Sequence, residues 1–206
     1  MKNQILEAYI LYANEKKTLP TLYNLADSMG IYYDLVYAHF RSREDIQEYM
    51  MTQIFRRTVD ALDADPQYPQ YSGYEKMLSF YFTFMQITQD YKTAVSIEIR
   101  QRAIMLFDVK SSLCIKRDFL VFMNHVFTSA HHNNEIPPRP WLQRYIDRIA
   151  WQQFQYLLHF MADDISENMS NTDAAIEKST NLLFEFLGRN VLDAGFDFGK
   201  FFFQNL

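Results

Sequence analysis

Residues 21 to 40 read Thr21-Leu-Tyr-Asn-Leu-Ala-Asp-Ser-Met-Gly-Ile-Tyr-Tyr-Asp-Leu-Val-Tyr-Ala-His-Phe40, a pattern that predicts two short helices with a tight turn between them. In the first half, apolar residues recur at the helical spacing i, i+3, i+4 and i+7, at Leu22, Leu25, Ala26 and Met29. Thr21 suits the cap that begins such a helix, and Gly30 suits the left-handed residue that ends it. Val36 and Phe40 are four residues apart, so they share one face of the second helix. Two short helices separated by a turn at a glycine are typical of a helix-turn-helix unit.

Outward from this unit, the sequence predicts helices along the whole chain. A helix over about residues 3–16 precedes the unit, and Ser42 is a suitable cap for a helix that follows it to about residue 62. After a break at Pro66, Pro69 and Gly73, further helices are predicted at about 74–88, 92–107, 111–131, 141–163 and 172–194. We therefore predict an all-α fold of about nine helices. An N-terminal three-helix helix-turn-helix domain would cover residues 1–47, and a larger helical domain would cover residues 48–206.

Composition limits the classes of protein to which the chain can belong. With 206 residues, of which 49% are hydrophobic and 22% charged, it can bury a substantial core. The single cysteine, Cys114, cannot form an internal disulfide, which fits a reducing compartment. The chain opens on an amphipathic helix rather than a signal peptide, and no stretch approaches the roughly 20 apolar residues that span a bilayer. We therefore expect a cytoplasmic protein without a membrane partner.

The charge distribution excludes a broadly basic surface but allows a small face that reads nucleic acid. The formal net charge is -5 and the isoelectric point about 5.5, which counts against non-specific coating of nucleic acid. Residues 1–57 contain as many basic as acidic residues, so the rest of the chain carries the whole negative excess. This asymmetry mildly favours an N-terminal segment that binds DNA.

The N-terminal residues resemble the TetR family of bacterial one-component regulators over roughly residues 4 to 46. The resemblance lies in the order and spacing of Ile5-Leu-Glu-Ala8, Leu25-Ala26, Gly30-Ile31, Tyr37, His39-Phe40 and Ser42-Arg-Glu-Asp-Ile46. It implies a homodimer that binds a double-stranded DNA operator and an unknown small-molecule effector. It also implies phosphate contacts from Tyr37, His39 and Arg43, and from the start of the second helix at Thr21. The complete set of expected DNA contacts is Thr21, Tyr32, Tyr33, Tyr37, His39, Arg41 and Arg43.

Four positions after the turn depart from the family pattern. The family usually has a small polar residue, a basic residue, a glycine and a threonine there, where this chain has Tyr32-Tyr-Asp-Leu35. The glycine usual after the first helix is replaced by Lys16 or Lys17. The Asp34 carboxylate could accept a hydrogen bond from a cytosine amino group, or it could favour the helix dipole as a first-turn acid. The two tyrosines could stack on sugars, contact a thymine methyl group or cover an apolar gap. The alternative hypothesis is a TetR-shaped dimer that no longer reads DNA and acts as a ligand-binding or protein-interaction module.

The central and C-terminal helices predict an effector site and a dimer interface. Residues 74–161 are rich in Phe, Tyr and Met, which is typical of a core and also of a pocket for a small apolar or aromatic ligand. The ligand-binding candidates are Phe84, Arg100, Met105, His125 and Gln152. The resemblance implies that the last two long helices form a four-helix dimer interface. Their apolar stripes supply its expected residues, which are Ile146, Ile149, Leu157, Ile176, Leu183, Leu187 and Val191. The Phe-rich tail over residues 196–206 would dock on its own domain or on a partner.

No residue pattern indicates an enzyme or a metalloprotein. The sequence has no Glu-x-x-His, no Gly-x-Ser-x-Gly, no phosphate-binding loop and no dinucleotide fingerprint. His131 and His132 are adjacent, so on a helix they point about 100° apart and form a poor pair of metal ligands. We therefore expect no cofactor, no metal and no catalysis. The resemblance to the TetR family implies a dimeric, ligand-responsive transcriptional regulator that acts as a repressor and is released from DNA by a small apolar or aromatic ligand.

Overall fold

The computed structural model describes residues 1–102, 113–139 and 143–188. Within these ranges the chain forms nine α-helices, and none of the residues described is in a β-strand. The helices are α1 (Lys2–Lys16), α2 (Leu22–Met29), α3 (Tyr33–Tyr37), α4 (Arg43–Asp63), α5 (Gly73–Thr88), α6 (Lys92–Arg102), α7 (Leu113–His132), α8 (Gln143–Asp163) and α9 (Ser170–Gly188). The predicted all-α fold is confirmed. No helix among the described residues is long and apolar enough to cross a membrane.

Local chemistry explains where α2 begins and where α1 and α2 end. Thr21 caps α2, because its side chain accepts a hydrogen bond from the backbone N–H of Asn24 at 3.1 Å. Gly30 ends α2 with a φ of 64°, the left-handed conformation that glycine adopts without strain. Lys17 ends α1 in the same region, with a φ of 56°, so a lysine adopts the conformation for which the family usually has glycine.

Helix α3 is shorter than the sequence predicted. It ends at Tyr37 rather than near residue 40, because the backbone N–H groups of His39 and Phe40 both donate to the carbonyl of Val36 in a closing turn. Ser42 then caps α4, accepting from the backbone N–H of Asp45 at 3.1 Å. Phe40 is nevertheless buried, so the predicted inward face is preserved across the turn.

The larger helices pack around an aromatic core between α5, α7 and α8. The ring centroid of Phe154 lies 4.7 Å from that of Phe119 and 5.0 Å from that of Phe84, and all three side chains are fully buried. Phe80 lies 4.8 Å from Phe122. These are ordinary separations for stacked and edge-to-face ring pairs, so the rings themselves fill the space between the three helices. Helices α4 and α9 pack on α5, and α6 packs on α8.

The start of α5 fits closely against the end of α7. A Cβ atom added at Gly73 would collide with Ala130, so the close approach of the two helices requires glycine at this position. Glu135, which follows α7, accepts hydrogen bonds from the backbone N–H groups of Gly73 and Tyr74 at 2.7 and 2.9 Å. This carboxylate satisfies two of the amides that a helix start leaves free.

A single carboxylate holds the connection between α8 and α9. Asp164 accepts hydrogen bonds from the backbone N–H and the hydroxyl of Ser166 at 2.8 and 2.5 Å, and from the same two groups of Thr172 at 2.8 and 2.5 Å. Burial of the carboxyl group acts to raise its pKa, but these hydrogen bonds outweigh burial and hold the pKa of Asp164 at about 2. The connection therefore fixes α8 and α9 as neighbours.

Candidate nucleic-acid interface

Aromatic side chains cover the exposed surface of the α2–α3 unit. Tyr32, in the turn, is 84% exposed. The rings of Tyr33 and Tyr37 stack one helical turn apart, with centroids separated by 5.7 Å and planes inclined by 21°. Val36 on the same helix is fully buried, so it anchors α3 from the opposite side. We call this surface the α2–α3 face; its exposed residues are Tyr23, Tyr32, Tyr33, Asp34, Leu35 and Tyr37.

The α2–α3 face carries negative rather than positive charge. No lysine or arginine occurs between Lys17 and Arg41, whereas Asp27 and Asp34 are both exposed. The Asp34 carboxylate makes no hydrogen bond or ion pair with any residue that the structure describes. Because phosphates repel carboxylates, positive charge for a DNA backbone must come from residues that flank the face, such as Lys17 and Arg41.

Five of the predicted DNA contacts differ in how exposed their side chains are. Tyr37, His39 and Arg41 are exposed. The hydroxyl of Thr21 is engaged in capping α2. The Arg43 guanidinium is half-buried and lies 3.7 Å from the carboxylate of its neighbour Glu44. The structure thus leaves three of these side chains available and gives the other two intramolecular contacts.

The start of α4 is held in a fixed orientation relative to α3. Asp45 accepts a hydrogen bond from the backbone N–H of Arg41 at 2.8 Å and another from the Ser42 hydroxyl at 2.9 Å. These hydrogen bonds, led by that from Arg41, lower the pKa of Asp45. The Arg41 backbone is therefore tied to α4 beside the exposed end of α3.

A buried polar contact joins the N-terminal helices to the rest of the chain. The Tyr9 hydroxyl on α1 accepts a hydrogen bond from the side-chain amide of Gln47 on α4 at 3.4 Å. Burial raises the pKa of Tyr9, and the negative charge of Glu98 on α6 raises it further. Helix α1 also packs directly on α6. Helices α1, α4 and α6 therefore meet close to this buried contact.

The structure does not bring the predicted ligand-binding residues together. Phe84 lies in the aromatic core, while His125 is exposed on α7. The Arg100 guanidinium forms an ion pair with Asp163 at 2.9 Å, on the surface where α6 meets the end of α8. Gln152 lies on the outer side of α8, and Met105 is outside the described residues. The four described positions therefore lie in different parts of the structure.

Most of the predicted dimer residues belong to the core of a single chain. Five of these side chains are buried within that core, namely those of Ile146, Leu157, Ile176, Leu183 and Leu187. The prediction that this stripe forms the dimer interface therefore needs correction, because these side chains already pack against other helices of the same chain. Ile149 is only half-buried, and Val191 is outside the described residues.

The outer sides of α8 and α9 form an apolar groove of about 520 Å³. Leu182 is 68% exposed, whereas Leu183 is only 5% exposed, because residues one apart on a helix point about 100° apart. We call this surface the α8–α9 groove; its main lining residues are Ile149, Gln152, Tyr156, Leu182, Leu183 and Phe186. Sequence reasoning missed Tyr156, Leu182 and Phe186. A second, exposed stripe could have been predicted from two pairs of residues at the spacing i, i+4, which are Gln152–Tyr156 on α8 and Leu182–Phe186 on α9.

Comparison with known families identifies the C-terminal part of the chain. Residues 76–202 match the family model described as the tetracyclin repressor-like C-terminal domain. The chain belongs to the TetR family. No curated protein matches it. The family match begins within α5 and includes α6 to α9, so it covers the aromatic core and the α8–α9 groove, while α1 to α4 precede it. TetR-family proteins are generally regulators rather than enzymes, and no group of potential metal ligands occurs among the residues described here by the structure.

Proposed function

We propose that this TetR-family protein is a cytoplasmic transcriptional repressor that binds an operator as a homodimer and leaves it when a small apolar or aromatic ligand binds. Residues 1–47 would read DNA, and residues 48–206 would bind the ligand and form the dimer. The observation that carries the proposal is the α2–turn–α3 unit attached to a TetR-family body. Its second helix is anchored by Val36 and exposes Tyr37, followed by the exposed His39, where the family resemblance expects DNA contacts.

The α8–α9 groove supports the dimer part of the proposal. Exposed apolar side chains at Tyr156, Leu182 and Phe186 are typical of a surface that a second copy covers. Two α8–α9 pairs would then form the four-helix interface. The distance between the two α3 helices would be set by how these pairs pack, and reading two half-sites requires about 34 Å between them.

Two buried hydroxyl groups support the effector part of the proposal. The hydroxyl groups of Tyr81 on α5 and Ser96 on α6 are buried and have no hydrogen-bond partner in the part of the chain that the structure describes. An unsatisfied buried hydroxyl costs roughly 1–3 kcal/mol, so a ligand with a polar group could gain affinity by meeting one of them. The ligand would release DNA only by binding better to a dimer whose α3 helices have the wrong spacing. The packing of α1 on α6, together with the hydrogen bond between Tyr9 and Gln47, offers a route from α6 to α1 and α4.

The first test is binding of the purified dimer to the duplex upstream of its own gene at about 50 and 200 mM salt. A dimer that contacts six to ten phosphates should lose about 10³- to 10⁵-fold in affinity between these salts. Arg41→Ala should weaken binding, whereas the matched variant Arg56→Ala, exposed on α4, should not. Absence of binding at the lower salt, with the dimer intact, would contradict the proposal.

A reporter gene placed behind the same duplex tests the sign of regulation. It should be expressed more strongly when the protein is deleted, as a repressor requires.

One observation favours a second candidate function, a protein-interaction module. The α2–α3 face has exposed tyrosines and the Asp34 carboxylate but no basic residue, which is closer to a protein-binding surface than to a phosphate-binding one. Under this alternative, Asp34→Lys would leave DNA affinity unchanged. Under the main proposal, the same substitution would raise the affinity for DNA of unrelated sequence, because it replaces a charge that repels phosphates.

A further inference from the structure

The position of Asp34 on α3 points to a role in base recognition. A helix turns about 100° per residue, so Asp34 lies about 160° from the buried Val36 and projects from the exposed side of α3. The stacked rings of Tyr33 and Tyr37 lie to one side of it, and Leu35 lies to the other. A helix that docks in a groove with Val36 facing its own core would therefore direct the Asp34 carboxylate towards the base edges.

Only one base offers a major-groove edge that matches an isolated carboxylate. A carboxylate accepts hydrogen bonds but does not donate them. Cytosine presents its N4 amino group without an acceptor on the same base, whereas the amino group of adenine stands beside the N7 acceptor. Guanine presents two acceptors, and thymine presents an acceptor and a methyl group. The apolar flanks would exclude water from the contact and so strengthen it.

We propose that Asp34 selects a cytosine in each half of the operator by accepting a hydrogen bond from its N4 amino group. The inference rests on the proposed function, because it requires α3 to enter the major groove. It differs from a helix-dipole role for Asp34, which would stabilise α3 without any preference among bases. It also explains how α3 can carry a carboxylate, since the charge would face a hydrogen-bond donor rather than a phosphate.

The test is a selection of duplexes from a random-sequence library by three proteins: the wild type, Asp34→Asn and Asp27→Asn. Asparagine forms its bidentate pair with adenine N6 and N7, so Asp34→Asn should change one selected position in each half-site from cytosine to adenine. Asp27→Asn removes the same charge from an exposed position on α2, so it should keep cytosine. With purified duplexes that differ only at that position, the wild type should prefer cytosine by roughly five- to 150-fold.

The outcomes separate this inference from the proposed function. If the wild type selects a defined operator and Asp34→Asn selects the same bases, the inference is overturned while the regulator remains. The inference is also overturned if both Asp→Asn variants raise the affinity for every duplex equally. That result would show only that each variant has lost a carboxylate that repels the DNA phosphates. If the wild type selects no duplex at all, the proposed function fails and the inference fails with it. Thermal unfolding checks that Asp34→Asn folds normally, as an exposed residue without partners among those described should.

Discussion

The α2–α3 face and the α8–α9 pair are both built from two helices joined by a short connection, yet they use their side chains in opposite ways. In the α8–α9 connection, Asp164 accepts four hydrogen bonds and lies almost wholly out of solvent. In the α2–α3 unit, the Asp34 carboxylate bonds to no described residue and Tyr32 is almost fully exposed. A carboxylate with every partner supplied by its own chain stabilises the fold. A carboxylate and aromatic rings left without such partners are available to another molecule.

The largest effect should come from the buried stripe of α9. Leu187→Ala removes a side chain that is 1% exposed and should lower the free energy of unfolding by about 2–5 kcal/mol. The matched variant Leu182→Ala, on the exposed stripe, should change it by less than about 0.5 kcal/mol when the protein is monomeric, but should weaken the dimer. Urea unfolding at low protein concentration and sedimentation velocity separate the two quantities. Equal destabilisation by both variants would mean that the outer stripe is covered within one chain.

The next largest effect concerns the α8–α9 connection. Asp164→Ala removes the acceptor for Ser166 and Thr172, and we expect a loss of about 2–3 kcal/mol in the free energy of unfolding, measured by urea titration at pH 7. Asp34→Ala is the matched control and should be close to neutral, since its carboxylate has no partner among the residues described. Similar losses for both aspartates would remove the contrast between the two regions.

The Asp164 contribution should also depend on pH. Its pKa is about 2 in the folded chain and about 3.9 when unfolded, so the unfolded state binds the proton more readily. The stabilisation is therefore fully present above about pH 5 and is lost as the pH falls from about 4 towards 2. The difference in unfolding free energy between wild type and Asp164→Ala should shrink over that interval. A difference that stays constant between pH 7 and pH 3 would show that the carboxylate charge is not what holds the connection.

The fold was predictable from the sequence because it depends on local signals. The periodicity of Leu22 to Met29, the glycine at position 30 and the Ser42 cap each act within a few residues, and the structure has helices where they predict them. The predicted end of α3 lies too far along the chain. Phe40 is buried as expected, but it belongs to a turn and not to a helix. Burial alone fixes the side on which a residue lies, but it does not fix the local backbone conformation.

The candidate site was less predictable because it depends on contacts between distant segments. Arg100 was expected near a ligand, but it pairs with Asp163, 63 residues away in the chain. On α9, Leu182 and Leu183 are equally apolar, and only the packing of α8 and α5 decides which of them is covered. The α2–α3 face was found because its residues lie within one short segment. Its lack of basic residues was also visible in the sequence, although the exposure of Tyr32 and Asp34 was not.

A smaller effect should come from the cap that begins α2. Thr21→Ala removes the acceptor for the Asn24 backbone N–H and should lower the free energy of unfolding by about 1 kcal/mol, measured by thermal or urea unfolding. Ser72→Ala removes the equivalent cap of α5, where the Ser72 hydroxyl accepts from the backbone N–H of Glu75, and should cost a similar amount. DNA affinity should fall for Thr21→Ala alone, because Thr21 is one of the expected DNA contacts and Ser72 is not. A loss of affinity in both variants would mean that instability, and not a lost phosphate contact, reduces binding.

The smallest effect on stability should come from the most exposed side chain of the α2–α3 face. Tyr32→Ala should change the free energy of unfolding by less than about 0.5 kcal/mol, because the ring is 84% exposed. If this face binds DNA, the same substitution should weaken binding to the upstream duplex, since tyrosine at this place would contact sugars or a thymine methyl group. Leu11→Ala is a suitable control, because Leu11 is an exposed apolar residue on α1 outside the face.

Replacing thymine by deoxyuridine in the duplex removes only the methyl groups. A loss of affinity for the wild type that is absent in Tyr32→Ala would assign the methyl contact to this ring, whereas equal losses in both proteins would assign it elsewhere. Either result would show whether the exposed tyrosine is a reader of bases or only part of the surface around Asp34.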